Sequence, residues 1–324
     1  MPAPTSSPAT PAVAPAVPSA VPAAPAAPGR GSRFSGRGSL GPVALVVSAG
    51  ISVQFGAALA VLIMPRAGAA GVVTLRLAMA ALVLLLLCRP KVRGYTRADW
   101  TTVVWFGVTM AGMNGLFYQA VDRIPLGPAV TLEVLGPLAL SVLVSRRLVN
   151  VLWAALALAG VVLLAGHGGG FGGLDPLGAA FALGAGAMWA AYIVFSARTG
   201  RRFPQADGLA LAMAVAAVLS LPLGVVEAGS ALLAPSTVAL GAGVAVLSSV
   251  LPYTLEMLAL RRLPAPTFAI LMSLEPAIAA TAGFLVLHQG LSALDAVAIA
   301  LVIAASMGAV RAQTRRAETL PAAS

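Results

Sequence analysis

Charged side chains are scarce in this 324-residue chain, where Asp, Glu, Lys and Arg make up 9% of the residues and hydrophobic residues make up 59%. A soluble domain carries about 25% charged residues, so the composition indicates a protein embedded in lipid. Cysteine is nearly absent too, because Cys88 stands alone. A single cysteine excludes a disulfide framework within the chain and a cysteine-rich metal site.

Recognisable catalytic motifs are also missing. The sequence contains no Gly-x-Ser-x-Gly elbow, no His-Glu-x-x-His zinc motif and no acidic metal cluster. Its two histidines, His167 and His288, lie far apart in sequence. We therefore expect no catalytic residues, no metal and no cofactor, and a membrane-embedded enzyme is kept only as an alternative from another functional class.

The formal charge of +10 at pH 7 comes from basic residues that are spread one to four at a time between apolar blocks. A nucleic-acid interface would need a continuous basic face with interleaved aromatic side chains. No such face is present in the sequence. We therefore expect membrane lipid and a small molecule as partners, and no nucleic acid.

Residues 1–40 differ in composition from the remainder, because Pro, Ala and Ser dominate from Pro2 to Pro28. Proline that recurs every few residues opposes helix formation and favours an extended, disordered chain. The order of n-region, h-region and cleavage site that defines a signal peptide is missing. We predict a disordered cytoplasmic tail over 1–40 and a second, short cytoplasmic tail over 312–324.

Apolar stretches long enough to cross a bilayer recur along the chain between these tails. About 20 apolar residues cross the hydrocarbon core as a helix. By this criterion we predict an all-α integral membrane protein with ten transmembrane helices, near 42–64, 68–87, 99–118, 125–145, 149–166, 176–196, 206–227, 237–259, 265–287 and 292–311.

Basic residues fall almost entirely in alternate connections between the predicted spans. One set of connections, counted with the two tails, carries Arg30, Arg33, Arg37, Arg89, Lys91, Arg93, Arg97, Arg146, Arg147, Arg198, Arg201, Arg202, Arg261, Arg262, Arg311, Arg315 and Arg316. The opposite set holds only Arg66 and Arg123. Because cytoplasmic loops carry the excess of Lys and Arg, both termini are predicted to lie in the cytoplasm of a cell-membrane protein.

The second half of the sequence repeats a pattern of the first at an offset of 139 residues. The matched positions are Leu116, Ala120, Arg123, Pro125, Leu132 and Pro137 with Leu255, Ala259, Arg262, Pro264, Leu271 and Pro276. Five predicted spans separate the equivalents, so the two copies have opposite orientation. Inverted repeats are typical of secondary transporters, and we predict one five-helix repeat over 41–166 and another over 167–311.

Among the charged residues within the predicted spans, the candidates for function are Arg76, Glu133, Glu256 and Glu275. A charge near the bilayer centre costs about 2.5–3.5 kcal/mol on insertion scales, so such groups are kept when they face a cavity, pair with each other or bind a substrate. The repeat alignment places Glu133 and Glu275 three residues apart on equivalent helices, which favours one shared cavity. A purely structural role, in which Arg76 pairs with an acid to join helices, stays open.

Polar and aromatic residues in or beside the spans are candidates for the wall of such a cavity. Asn114 and Tyr118 are four residues apart and share a helix face, and Asn114 is the preferred choice among the uncharged residues. Tyr and Trp are also common at the membrane interface. The other candidates are Gln54, Gln119, Trp189, Tyr192 and Tyr253.

Three segments resemble the EamA-type drug/metabolite transporters, specifically their threonine/homoserine exporter branch. They are GVVTLRLAMAALVLLLLCRP (71–90), MNGLFYQAVDRIPLGPAVTLEVLGPLAL (113–140) and LPYTLEMLALRRLPAPTFAILMSLEPAIAA (251–280), followed by IAASMG (303–308). The resemblance runs over nearly all of 42–311. It implies two inverted five-helix repeats, export of small amino acids, and matched positions for Arg76, Glu133, Glu256 and Glu275.

The sequence departs from the family pattern at two places. Val134 and Leu135 stand where the family tends to have an aromatic residue and a threonine, and His288 and Gln289 stand where it often has Gly-Glu. The first change removes a hydroxyl beside the acid Glu133, and the second removes an outer acid. We expect proton-coupled export of a small amino acid, with Glu133, Glu275, Arg76, Asn114, Tyr118, Glu256 and Tyr253 as substrate-binding or proton-coupling residues. Export of drugs or other metabolites is the alternative.

Overall fold

The computed structural model describes residues 40–145, 148–166, 174–204, 206–260, 262–263 and 265–319. Every regular element within these ranges is a helix, which agrees with the predicted all-α class. Residues 1–39 of the tail predicted over 1–40 lie outside the described residues, and so does His167.

The helices are numbered in chain order and are separated by short connections. They are α1 (Leu40–Cys88), α2 (Arg97–Val121), α3 (Leu126–Glu133), α4 (Leu135–Ser145), α5 (Leu148–Gly166), α6 (Pro176–Gly200), α7 (Asp207–Ala228), α8 (Pro235–Ala245), α9 (Leu251–Leu260), α10 (Ala265–Met272), α11 (Glu275–Leu287) and α12 (Ala293–Thr319). A short 3-10 helix covers Gly229–Leu233, and a turn of π-helix over Val246–Val250 joins α8 to α9.

Six helical segments of the described chain are long and apolar enough to cross a membrane. They are Gly41–Cys88, Pro176–Gly200, Asp207–Leu233, Pro235–Glu256, Thr267–Leu287 and Ala293–Arg311. Two shorter apolar helices, Leu126–Leu140 and Leu152–Leu163, lie between them in sequence. The chain is therefore a multi-pass membrane protein.

Helix α1 is broken at Gly68, where the backbone has φ 66° and ψ 170°. This left-handed φ favours glycine, because a Cβ is strained there. The carboxylate of Glu227, at the end of α7, accepts hydrogen bonds from the N–H groups of Ala69 (3.0 Å) and Ala70 (2.7 Å). Glu227 thus caps the second half of α1 from another helix, and the break falls between the first two predicted spans.

Two further interruptions occur beside prolines. Helix α3 ends at Glu133, four residues before Pro137, and α10 ends at Met272, four residues before Pro276. Since proline has no N–H, the carbonyls of Glu133 and Met272 cannot receive the usual i+4 hydrogen bond. These two carbonyls occupy equivalent positions of the sequence repeat, so both copies lack this hydrogen bond next to an acid, Glu133 in the first copy and Glu275 in the second.

Helix packing relies on small residues that bring backbones together, as is common within membranes. Helix α1 packs on α7, α8 and α9, α2 packs on α6 and α7, and α5 packs on α12. Among the glycine contacts of the described residues, the contact between α4 and α6 is the closest. A Cβ on Gly136 would overlap the backbone carbonyl of Gly186. Gly186 in turn lies against the carbonyl of Glu133. The acid is thus held by backbone contact between α3, α4 and α6.

The Gly136 contact gives a stability prediction. Gly136→Ala places a methyl group against backbone that cannot rotate away, and overpacking of this kind costs about 1–3 kcal/mol. We expect a lower unfolding temperature of the purified protein in detergent, measured by differential scanning fluorimetry. Gly115→Ala in α2 is the matched control, because nothing lies within 4 Å of the added Cβ there. An unfolding temperature of Gly136→Ala equal to that of the control would contradict the close packing.

Candidate functional site

Arg76 lies in the second half of α1 and extends between α2 and the π turn. Its Nη1 donates to the hydroxyl of Tyr118 and its Nη2 donates to the backbone carbonyl of Ser248, both at 3.2 Å. Its Nε is buried and has no hydrogen-bond partner among the described residues. Hydrogen bonds of guanidinium groups to carboxylates are shorter, about 2.7–2.9 Å. Two long bonds to neutral acceptors therefore hold the guanidinium without neutralising it.

Both ion pairs found in the described part of the chain lie elsewhere. They join Arg123 to Asp175 at 3.6 Å and Arg202 to Asp99 at 3.8 Å, and three of these four side chains are exposed. No carboxylate of the described residues comes within 4 Å of Arg76. The structural alternative, in which Arg76 pairs directly with an acid to join helices, therefore does not describe this conformation.

Glu133 and Glu275 lie on helices α3 and α11, which pack against each other. Gly127 lies beside Ala280, and Gly283 lies beside Leu126. These two contacts fix an antiparallel register that places Glu133 level with Glu275. The two acids are thus brought together from opposite halves of the sequence, as the repeat predicts for a shared cavity.

Electrostatic contacts extend this pair to the other predicted charges. Glu275 interacts electrostatically with both Glu133 and Glu256, and Glu133 interacts with Arg76. Glu275 is 8% exposed, while Glu133 and Glu256 are partly exposed. All four charged residues that the sequence singles out therefore belong to one interior region.

The charges of this region do not balance. The region holds three carboxyl groups and one guanidinium, and of these acids only Glu133 interacts electrostatically with Arg76. In an interior of low dielectric like charges repel strongly and unpaired charges are costly. Such a site favours bound protons or a cationic group near the acids and an anionic group near Arg76. A molecule that carries both an ammonium and a carboxylate matches both requirements.

The uncharged candidates divide into those that touch the charged region and those that do not. Tyr118 is fully buried, and besides accepting from Nη1 its ring lies 5.7 Å from the Arg76 guanidinium carbon. Asn114 is buried, but its Nδ2 donates to the carbonyl of Met110 in its own helix. Gln54 Oε1 is buried and unpartnered within the described residues. The side chain of Tyr253 lies outside the described part of the chain.

Two serines near Arg76 were not among the sequence candidates. Ser248 supplies the carbonyl that accepts from Nη2, and Ser52 of α1 donates its hydroxyl to the neighbouring carbonyl of Leu247 at 2.6 Å. The signal that could have found them is Pro252, since a proline in a membrane helix leaves the carbonyl four residues earlier without its donor.

The sequence is similar to those of known membrane transporters. The model of the EamA-like transporter family matches residues 176–311. The threonine/homoserine exporter RhtA of Salmonella typhimurium (strain LT2) is 43% identical over 267 residues, covering 82% of this chain and 90% of that protein. RhtA of Escherichia coli K12 is 42% identical with the same coverage.

A solved crystal structure provides a comparison of fold. It superposes with a TM-score of 0.52 at 22% sequence identity, and the match covers 82% of this chain and 97% of the other. At that identity the likeness is one of fold alone. The sequence identity to the two exporters, over most of both chains, carries the assignment: the protein belongs to the EamA-like transporter family.

Proposed function

We propose that this chain exports small zwitterionic amino acids of the threonine and homoserine type across the cell membrane, by proton antiport and alternating access. Its relatives are transporters and not enzymes, and the export of threonine and homoserine that names them is extended here to this chain. The observation that carries the proposal is the charge composition of the interior: a guanidinium held by neutral acceptors, and three carboxyl groups linked electrostatically to it or to each other.

Arg76 is the group that would bind the substrate carboxylate. Its Nε is free, and its other contacts are long bonds to neutral oxygens. A carboxylate forms shorter and stronger bonds with a guanidinium than either a phenol or a carbonyl does. The substrate carboxylate would therefore form the strong hydrogen bonds to the guanidinium that the protein itself does not provide.

Glu133 and Glu275 would meet the substrate ammonium or exchange it for a proton. The two acids lie level with each other, and Glu256 lies within electrostatic range of Glu275. Three negative charges at this depth are unfavourable together, so the acids bind either protons or the substrate ammonium. Binding of one weakens binding of the other. That competition is the physical requirement of antiport.

The repeat architecture supports alternating access. Helices occupy each of the ten predicted stretches, with the first two separated at Gly68 and the fourth and ninth interrupted beside Pro137 and Pro276. We propose that they form two inverted five-helix repeats, over 41–166 and 167–311, with both termini in the cytoplasm. Acids from the two repeats then meet at the interface where secondary transporters bind substrate.

Export of drugs or other metabolites is the second candidate function. It is favoured by Val134 and Leu135, which stand beside Glu133 and offer no hydroxyl or aromatic group to a polar substrate. Val134 is 6% exposed, so it contributes mainly to packing. This candidate becomes the preferred one if the amino-acid transport test below fails.

Counterflow in liposomes tests the amino-acid proposal. Vesicles loaded with unlabelled threonine or homoserine should accumulate labelled threonine from outside, and Glu133→Gln should reduce the rate at least about tenfold, because the site loses its central carboxylate. Asp122→Asn is the matched control, since it neutralises an exposed acid outside this region. Full transport by Glu133→Gln would refute the role of this acid.

A proton gradient tests the antiport mechanism. When the vesicle lumen is more acidic than the bath, protons leave while substrate enters, so labelled threonine should accumulate transiently above its equilibrium level. The reverse gradient should give no such overshoot, and a protonophore should abolish it. Equal uptake under both gradients would show that the carrier is not coupled to protons.

Cysteine labelling tests the ten-helix topology. In a Cys88→Ser background, Ser230→Cys in the connection after α7 should react with a membrane-impermeant maleimide on intact cells. Val92→Cys, in the arginine-rich connection between α1 and α2, should react only after permeabilisation, because basic connections lie in the cytoplasm. Reaction of Val92→Cys on intact cells would contradict the orientation.

A further inference from the structure

The π turn over Val246–Val250 lies beside the candidate site and has no role in the function proposed above. Its defining bond runs from the N–H of Leu251 to the carbonyl of Val246, five residues earlier. Turns of π-helix are rare and occur mostly as single insertions in α-helices, frequently at functional sites. This one separates α8 from the helix that carries Glu256.

Pro252 is the cause of this turn in the sequence. In an α-helix the carbonyl of Ser248 would accept from the N–H of residue 252, which a proline lacks. The carbonyl of Leu247 loses its α-helical donor as well, since the N–H of Leu251 is used by Val246. Two adjacent carbonyls inside the membrane therefore need donors from elsewhere.

Helix α1 supplies both donors. The hydroxyl of Ser52 donates to the carbonyl of Leu247 at 2.6 Å, and Nη2 of Arg76 donates to the carbonyl of Ser248 at 3.2 Å. Gly56, one helical turn after Ser52, makes room for the turn, since a Cβ there would overlap Ser248 Oγ. The two halves of α1 thus hold the π turn together, one through Ser52 and Gly56, the other through Arg76.

We propose that the π turn aims Arg76 at the substrate carboxylate, and that Ser52 and Gly56 are positioning residues that keep the turn in place. The inference rests on the proposed function, because it requires Arg76 to bind a carboxylate. A neutral carbonyl fixes the guanidinium and leaves its charge available, whereas an acid in the same place would fix it and cancel the charge. The turn thereby makes the site select substrates that carry a carboxylate.

Three variants test the inference in the full-length protein. Ser52→Ala removes the bond to Leu247 and leaves the charged residues intact. Pro252→Ala gives Ser248 a backbone donor, so the turn should return to α-helix and release Arg76. Thr254→Ala is the matched control, because the Thr254 hydroxyl donates to the carbonyl of Val250 at 2.8 Å from within the same segment, at an exposed position.

Counterflow should separate these variants by KM. For Ser52→Ala and Pro252→Ala we expect the KM for threonine to rise about five- to tenfold, the size of one lost hydrogen bond, with Vmax nearly unchanged. Inhibition by threonine amide, which has no carboxylate, should stay at the wild-type level. Thr254→Ala should behave as wild type in both measurements.

The unfolding temperature distinguishes positioning from a purely structural role. Replacing a helix-interior proline by alanine normally stabilises a helix, so Pro252→Ala should unfold at or above the wild-type temperature while binding threonine more weakly. A wild-type KM for threonine in Pro252→Ala would overturn the inference. An equal loss of affinity for threonine and its amide would overturn it too.

Hydrogen exchange without substrate keeps this inference separable from the proposed function. If the wild-type protein transports no amino acid, the proposed function fails, and exchange of the backbone amides of 246–251 still reports on the turn. Ser52→Ala should accelerate that exchange, and Thr254→Ala should not. Unchanged exchange in Ser52→Ala would show that Ser52 does not hold the turn.

Discussion

A guanidinium inside a membrane must be stabilised without being neutralised if it is to bind an anion, and this requirement organises the structure around Arg76. An acid within 4 Å would satisfy the charge and remove the binding capacity. Here a phenol and a main-chain carbonyl take that position instead. The acids lie near enough to interact with Arg76 or with each other electrostatically and too far to close an ion pair.

Proline supplies much of the polarity of this interior without adding polar side chains. Pro137, Pro252 and Pro276 each remove a backbone donor four residues after a carbonyl. The first of these carbonyls belongs to Glu133, and the second accepts from Arg76. Membrane helices tolerate such interruptions where neighbouring side chains satisfy the freed groups. Each break in a helix thus leaves a main-chain carbonyl that can accept a hydrogen bond within the membrane.

Periodicity and composition predicted the helical class, the approximate spans and the four interior charges, because burial of charge in lipid is costly enough to be visible in sequence alone. The meeting of Glu133 with Glu275 followed from the repeat. The partners of Arg76 did not, since a carbonyl acceptor has no residue signature, and Pro252 is informative only when a donor is known to face it. Interhelix caps such as Glu227 on Ala69 depend on packing between segments far apart in sequence.

Gln289 forms a second cap between distant segments. Its Oε1 accepts a 3.0 Å hydrogen bond from the N–H of Leu126 at the start of α3. Glu227 does the same for the second half of α1. Both caps lie at connections that the basic-residue pattern predicts on the outer side of the membrane. Each cap is worth about 1 kcal/mol. Any conformation that parts these helices loses both caps, so the two hydrogen bonds stabilise the described conformation at that end.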